Sequence, residues 1–287
     1  MHGLGLLKSA VSRAFTSGRQ ALASLLLLSL VLTTPALASG QAETIVRLSP
    51  LGPIVEQSQA MMRTGIRDGL MATGQVDSLV AETIAGFGAS AFDAARIRAR
   101  LVNDLTADLA SDELQTVNEW YQSDLGQALS QAEARAASPA GWTIISESAP
   151  ALRQQYKGSA REQLFKRYDQ ALGASEQATD TAIAVQLELA QAMAAFSENG
   201  SASAIRDRVQ ASRPIIQAEI ADQVYLAYLH MYQSFPDEQL KTYVEFLESS
   251  AGRAFTESAG TSIRGAIVEP ISRVGDQLVR LLGSGGK

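Results

Sequence analysis

An all-α fold is expected, a helical bundle built from two tandem related four-helix units, and three observations carry that expectation. Apolar residues recur at spacings of three and four along most of the chain, which lines one face of a helix. No run alternates apolar and polar side chains as a half-buried strand would. The third observation is a pattern written twice without a gap. Leu114, Thr116, Glu119, Ser123, Gly126 and Ala128 return as Leu240, Thr242, Glu245, Ser249, Gly252 and Ala254, a shift of 126 residues. A solenoid repeats every ~20–50 residues, so a period this long means duplication of a whole unit. The expected organisation is a signal peptide over 1–38, a first unit over 39–136, a connecting segment over 137–174, a second unit over 175–283 and a flexible tail over 284–287.

The first 38 residues read as an export signal. Lys8, Arg13 and Arg19 precede the apolar run Ala21 to Leu32, and Ala36-Leu37-Ala38 supplies small residues where a signal peptidase reads them. The run is shorter than the roughly 20 residues that span a bilayer comfortably. Cleavage after Ala38 leaves a periplasmic product with no later transmembrane stretch. The full chain carries a net charge of −6, and the signal contains three basic and no acidic residues, so the product is more acidic still. That balance argues against a nucleic-acid partner. The chain has no cysteine, so no disulfide supports it and its stability must come from apolar burial.

In chain order, an extended mature N-terminus is expected up to Pro50 and Pro53, followed by a helix burying Ile54, Met61, Met62, Ile66 and Leu70 and closed by Gly74. A second helix covers Val76 to Ala85 with Val76, Leu79, Val80 and Ile84 on its stripe, and Gly86 and Gly88 mark a break. A third, about Ala91 to Leu109, carries Phe92, Ile97, Leu101, Leu105 and Leu109. Ser111 is the candidate N-cap of the fourth, with Asp112 and Glu113 in the first turn where the helix dipole favours acids. Its stripe is Leu114, Val117, Tyr121, Leu125 and Ala128, widened by Trp120.

Pro139 and Pro150 bracket the connecting segment, then a helix runs from about Ala160 to Leu172 and ends at Gly173. Ser175 opens a long Ala-rich helix with Ile183, Leu187, Met193 and Phe196, and Pro214 sits in the first turn of a later one. Asp237 caps the second copy of the pattern, whose stripe is Leu240, Tyr243, Leu247, Ala251 and Ala254. The last helix aligns Ile263, Ile267, Ile271, Val274, Leu278 and Leu281, with a kink or division expected at Pro270. The repeat extends outside the pattern: Gly74 matches Gly200, Leu79 matches Ile205, Leu105 matches Met231 and Leu109 matches Phe235.

At the repeated pattern the sequence resembles a bacterial exported family, domain of unknown function 2059. Its hallmark is an acidic-Leu helix running into an aromatic pair and then Ser-x-x-Gly. Glu113-Leu114, Trp120-Tyr121 and Ser123 to Gly126 carry it once, and Glu238, Leu240, Phe246-Leu247 and Ser249 to Gly252 carry it again. Asp124 and Ser250 stand where the family commonly has proline, and Leu247 replaces the second aromatic residue. The resemblance implies fold and compartment; the family has no assigned activity to carry over.

Sites are sparse. Ser123 and Ser249 recur, but a serine nucleophile needs a base, and His230 alone follows the signal and cannot serve two equivalent sites. Capping by Ser and close backbone approach at Gly126 and Gly252 explain the recurrence better. Glu119 and Glu245 would act as general acids only with raised pKa values and a second carboxylate nearby; solvated roles fit better. Arg153, Lys157 and Arg161 form a basic stripe for anionic headgroups or an acidic partner, or an ordinary solvated surface. Tyr225, Tyr228, His230 and Tyr232 are the candidate lining of a binding groove, against the commoner reading of an aromatic core face. Asn199-Gly200-Ser201 reads as a turn. No catalytic, cofactor or metal residue is assigned. The expected function is a non-catalytic periplasmic module binding an envelope protein or peptide; the alternative is a carboxylate-dependent enzyme acting on envelope glycan.

Overall fold

In the computed structural model, which describes residues 34–72, 77–194 and 202–283, every regular element is an α-helix. The helices are α1 (Thr34–Leu48), α2 (Leu51–Ala72), α3 (Ser78–Ala89), α4 (Ala94–Asp108), α5 (Ser111–Gln122), α6 (Asp124–Ala136) and α7 (Pro139–Tyr156). They continue as α8 (Ala160–Leu172), α9 (Ala174–Ala194), α10 (Ala202–Ala211), α11 (Arg213–Met231), α12 (Asp237–Glu248) and α13 (Ser250–Gly283). None of the described helices is long and apolar enough to cross a membrane. The signal segment up to residue 33, the Gly74–Gly200 match, Phe196, the 199–201 turn and the 284–287 tail lie outside the described residues.

One apolar core joins both halves. α1 packs on α4 and α5, α8 on α12, and α11 on α6, α7 and α9, while α13 crosses to α4, α5 and α9. Leu101 and Leu105 of α4, Leu114 and Val117 of α5, Leu229 of α11 and Leu240 and Leu247 of α12 are fully or almost fully buried. Burying each such side chain contributes about 1.5–3 kcal/mol.

Several local expectations change. The stretch before Pro50 is helical, because Ala42, Ile45 and Val46 fall three and four apart and bury completely against α4 and α5. The expected cleavage point after Ala38 therefore falls within α1. In α3 the expected stripe is reversed. Ala81, Ala85 and Ala89 face inward, Leu79, Val80 and Ile84 face solvent, and the helix runs through Gly86 and Gly88. Its small inner face lets α2 come close: a Cβ at Gly88 would stand 2.9 Å from Ile66 Cδ1. The expected caps shift by one residue. Ala110 precedes α5, and its N–H is held by the Glu113 carboxylate at 3.0 Å; Pro236, not Asp237, precedes α12. Pro270 does not divide α13, which is continuous to Gly283.

Candidate functional site

Two corners organise the site. At each, a twelve-residue helix ends on an extended serine that begins the next helix: Ser123 between α5 and α6, Ser249 between α12 and α13. Ser123 Oγ donates to the Trp120 carbonyl (2.6 Å) and accepts from Gly126 N–H (3.0 Å). Ser249 Oγ makes the same pair with the Phe246 carbonyl (2.6 Å) and Gly252 N–H (3.0 Å). One hydroxyl thus satisfies a first-turn amide and adds a second hydrogen bond to a terminal carbonyl. A Cβ on Gly126 would lie 2.1 Å from the Trp120 oxygen, and one on Gly252 2.0 Å from the Phe246 oxygen. Only glycine fits. The approaching backbone belongs to the preceding helix, not to a neighbour across the bundle.

The corners face each other. Trp120 stacks on Phe246 at 4.5 Å between centroids and on Tyr243 at 5.7 Å, and Tyr121 meets Phe246 and Phe255 edge-on. Trp120 and Tyr121 on one side and Phe246 on the other therefore form the junction of the two motifs, Ser123 and Gly126 and Ser249 and Gly252 build the two corners, Leu114 and Leu240 are buried, and Glu113 caps its own helix. Glu238 stays outside, pairing with Lys241 at 2.6 Å.

Behind this stack lies a group the sequence reading passed over. Glu133 of α6 directs its carboxyl among Tyr121, Tyr168, Tyr232 and Tyr243, accepting hydrogen bonds from Tyr232 and Tyr243. Desolvation pushes its pKa up to about 7, although the two phenols favour the charged form. Burial, and then the Glu133 carboxylate, pushes Tyr121, Tyr168, Tyr232 and Tyr243 upward as well. The available signal was position: Glu133 lies four residues after buried Leu129 and three before buried Ala136, on the inward stripe of α6.

The expected tyrosine groove is split. Tyr228 and Tyr232 are buried in a cluster with Tyr168, Tyr225 is half-buried against Phe165, and His230 lines a groove on another side. The basic stripe is split too. Arg161 is buried, bonding Asp237 (2.6 Å) and the Tyr232 and Phe235 carbonyls (2.7 and 2.6 Å). Arg153 pairs with Asp222, and Lys157 is exposed. Arg161 is thus a tether between α8 and the start of α12, which neither the headgroup nor the solvated reading anticipated. Glu119 and Glu245 are both exposed. Among the described residues no three His, Asp or Glu side chains converge as a metal would require.

Residues 95–155 match a family described as "Uncharacterized protein conserved in bacteria (DUF2059)". That stretch holds the first corner and ends well before the second. No curated protein and no solved structure matches the chain.

Proposed function

We propose that the chain is an exported, periplasmic, non-catalytic helical module, built by duplication of one unit, that binds an envelope protein or peptide. The observation that carries binding is the outward face of α3. Leu79 is 75% exposed and Phe87 60%, with Val80 and Ile84 beside them, while alanines occupy the inner face. Large apolar side chains turned to water, with small ones turned inward, are the reverse of an ordinary surface helix and mark a contact site.

Duplication sharpens the argument. At a shift of 126, α1 falls on α8, α2 on α9, α3 on α10, α4 on α11, α5 on α12 and α6 on the start of α13. Reciprocal contacts agree: α2 with α3 and α9 with α10, α1 with α5 and α8 with α12, α4 with α13 and α11 with α6. This reading places α8 in the second unit and extends each unit to six helices. Val80, Ile84 and Phe87 then correspond to Arg206, Gln210 and Arg213, while Leu79 corresponds to Ile205, so three of the four apolar positions of this face are polar or charged in the second unit.

The glycan-hydrolase alternative has a raised-pKa carboxyl in Glu133, but tyrosines enclose it and no second carboxylate is among the groups acting on it. A photo-crosslinking residue placed at 84 or 87 in the full chain, expressed in a bacterium, tests the binding reading. Adducts are expected at 84 and 87 and absent at 210 and 213; equal yields at all four, or none at the first two, overturn it. Export has its own readout. Intact mass from the envelope fraction should give a chain beginning at Ser39, and a retained Met1 counts against it.

A further inference from the structure

α6 is clamped at both ends and buries little between them. Ser123 builds its first corner, and Ser138 repeats the same bonds at the second. Ser138 Oγ donates to the Arg135 carbonyl (2.7 Å) and accepts from Gly141 N–H (3.1 Å). A Cβ on Gly141 would lie 2.4 Å from the Ala136 oxygen, so this corner too is tightly specified. The buried residues of α6 are Gly126, Leu129, Ser130, Ala132 and Ala136, and of these Leu129 alone has a large apolar side chain. The Ser130 hydroxyl is buried without a hydrogen-bond partner among the described residues, which works against the seating of α6. At a shift of 126 residues, buried Ala259 takes the position of Glu133, on a helix that continues without a second corner.

The Glu133 carboxyl is the other hold on α6. It reaches phenols from four segments: Tyr121 on α5, Tyr168 on α8, Tyr232 just after α11 and Tyr243 on α12. These tyrosines are no more than 4% exposed, while Glu133 as a whole is half-buried, at the edge of the core where solvent protons reach it. Protonated, the carboxyl can donate to Tyr232, whose own hydrogen then turns to the Tyr168 hydroxyl 3.4 Å away. The neutral cluster therefore stays hydrogen-bonded. Ionised, the carboxylate accepts from Tyr232 and Tyr243 but meets no cation. Arg161 stops at the Tyr232 carbonyl. Arg135 on α6, His230 on α11 and the charged side chains of α2, α5, α7, α8 and α12 are not among the groups acting on Glu133. An enclosed carboxylate without a cation is the costly form.

We infer that α6 is a proton-operated latch: it seats on the tyrosine cluster while Glu133 is protonated, and it lifts between its two corners when Glu133 releases that proton to solvent, opening the cluster to water. The lifted carboxyl is hydrated and titrates at the ordinary 4.5, whereas the seated one holds its proton up to about pH 7. The ratio of seated to lifted form is therefore highest below pH 4.5, falls as pH rises through 7 and levels off above it. That window allows a change of about two orders of magnitude. The inference goes beyond the α3 face and stands or falls separately from it.

Hydrogen exchange of the full chain, read by mass spectrometry as protection factors at pH values from 5 to 8.5, tests the latch. Across that range the protection of α6 should fall at least tenfold more than that of α9, which contributes no residue to the cluster. Glu133→Gln is neutral throughout and should abolish the difference. Tyr232→Phe removes a bond that favours the charged form, so in that variant the fall should extend to higher pH than in the parent. No fall in α6, or an equal fall in α6 and α9, means that pH acts on the whole fold or not at all, and overturns the inference. An unchanged fall in Glu133→Gln, or one ending at the same pH in Tyr232→Phe, overturns it as well. Adducts at residues 84 and 87 would be untouched by any of these results.

Discussion

The corners at Ser123 and Ser249 are built by the same two hydrogen bonds, yet the helices that leave them differ. α6 stops at Ala136, where Ser138 caps α7 by accepting from Gly141 N–H and Pro139 enters the first turn. At a shift of 126 residues the matching positions are Arg264 and Gly265, and α13 continues unbroken to Gly283. The consequence is spatial. Unbroken α13 reaches across to α4, where Ser258 donates to Asp108 at 2.8 Å, Ser262 bonds Asp104, and Arg100 pairs with Glu269 at 2.5 Å. The corresponding serine positions on α6 are Ala132 and Ala136, which form no such ladder and instead line the groove at His230. A corner can therefore be strictly specified while its continuation closes one surface and opens another.

The comparison breaks first at the glycines. Gly126→Ala and Gly252→Ala each drive a methyl into a carbonyl oxygen of the preceding helix, which cannot yield as a flexible side chain would. Each should cost about 3 kcal/mol, the upper part of the range for overpacking, despite the better helix propensity of alanine. Urea midpoints of both variants check this. A loss at one site alone would show that the two corners are not equivalent.

The next largest effect sharpens the difference between α6 and α13. Glu133 faces the tyrosines, and the position 126 residues later on α13 is Ala259. The native carboxyl holds its proton up to about pH 7, whereas the ordinary value is 4.5. Between those values the folded chain binds more protons than the unfolded one, so stability is fully present below pH 4.5 and declines as pH rises through 7. The difference corresponds to about 3 kcal/mol. Glu133→Gln stays neutral and should flatten the profile between pH 5 and 8, leaving the variant more stable than the parent at pH 8. An equal pH slope in both proteins would show that Glu133 is not the titrating group.

Legibility in the sequence followed how local each cause is. The all-helical fold, the Gly173 terminus with its left-handed φ of 65° and the entry of Pro214 into α11 rest on near neighbours, and they can be read directly. The face of α3 cannot, since Leu79, Val80 and Ile84 and the alanines beside them are all apolar and helical spacing suits either set. Arg161 shows a second limit. Its spacing from Arg153 and Lys157 describes one stretch of chain, while Asp237 and the Tyr232 and Phe235 carbonyls lie more than seventy residues away. Glu133 was readable as a carboxylate on an apolar stripe, but the tyrosines around it come from α5, α8, the residue that ends α11, and α12, which no local pattern connects.

Arg161 also distinguishes how the two motif helices are held at their starts. α5 is closed by its own Glu113, whereas α12 is tied to α8 through Arg161. Arg161→Met keeps the aliphatic bulk and strands two carbonyls and Asp237. Because Asp237 is itself partly exposed, the expected cost is about 2 kcal/mol, below that of breaking a fully buried pair. Glu113→Gln should cost about 0.5 kcal/mol, since the amide oxygen still accepts from Ala110 N–H. Thermal denaturation of the two variants tests the ordering, and a larger loss in the Glu113 variant would reverse it.

The smallest effect is the most exacting for the comparison. Ser123→Ala and Ser249→Ala each remove one hydroxyl that makes two bonds, and neither changes the glycine, the carbonyl or the packing of the stacked rings. The lost amide bond is a cap, worth about 1 kcal/mol on replacement by alanine. The carbonyl keeps other options: Ser123 N–H already donates to Trp120 O at 3.0 Å, and Ser249 N–H to Phe246 O at 3.1 Å. The second bond therefore adds little, and each variant should lose about 1 kcal/mol. The corners match within 0.1 Å in both side-chain bonds, so the two losses should agree within about 0.5 kcal/mol. The sites lie on opposite sides of the Trp120–Phe246 stack, so the double variant tests whether they act independently. A double loss equal to the sum of the singles means each corner stabilises only its own helix pair. A smaller double loss means that opening one corner already loosens the stack against the other, and the two motifs would then act as a single structural element.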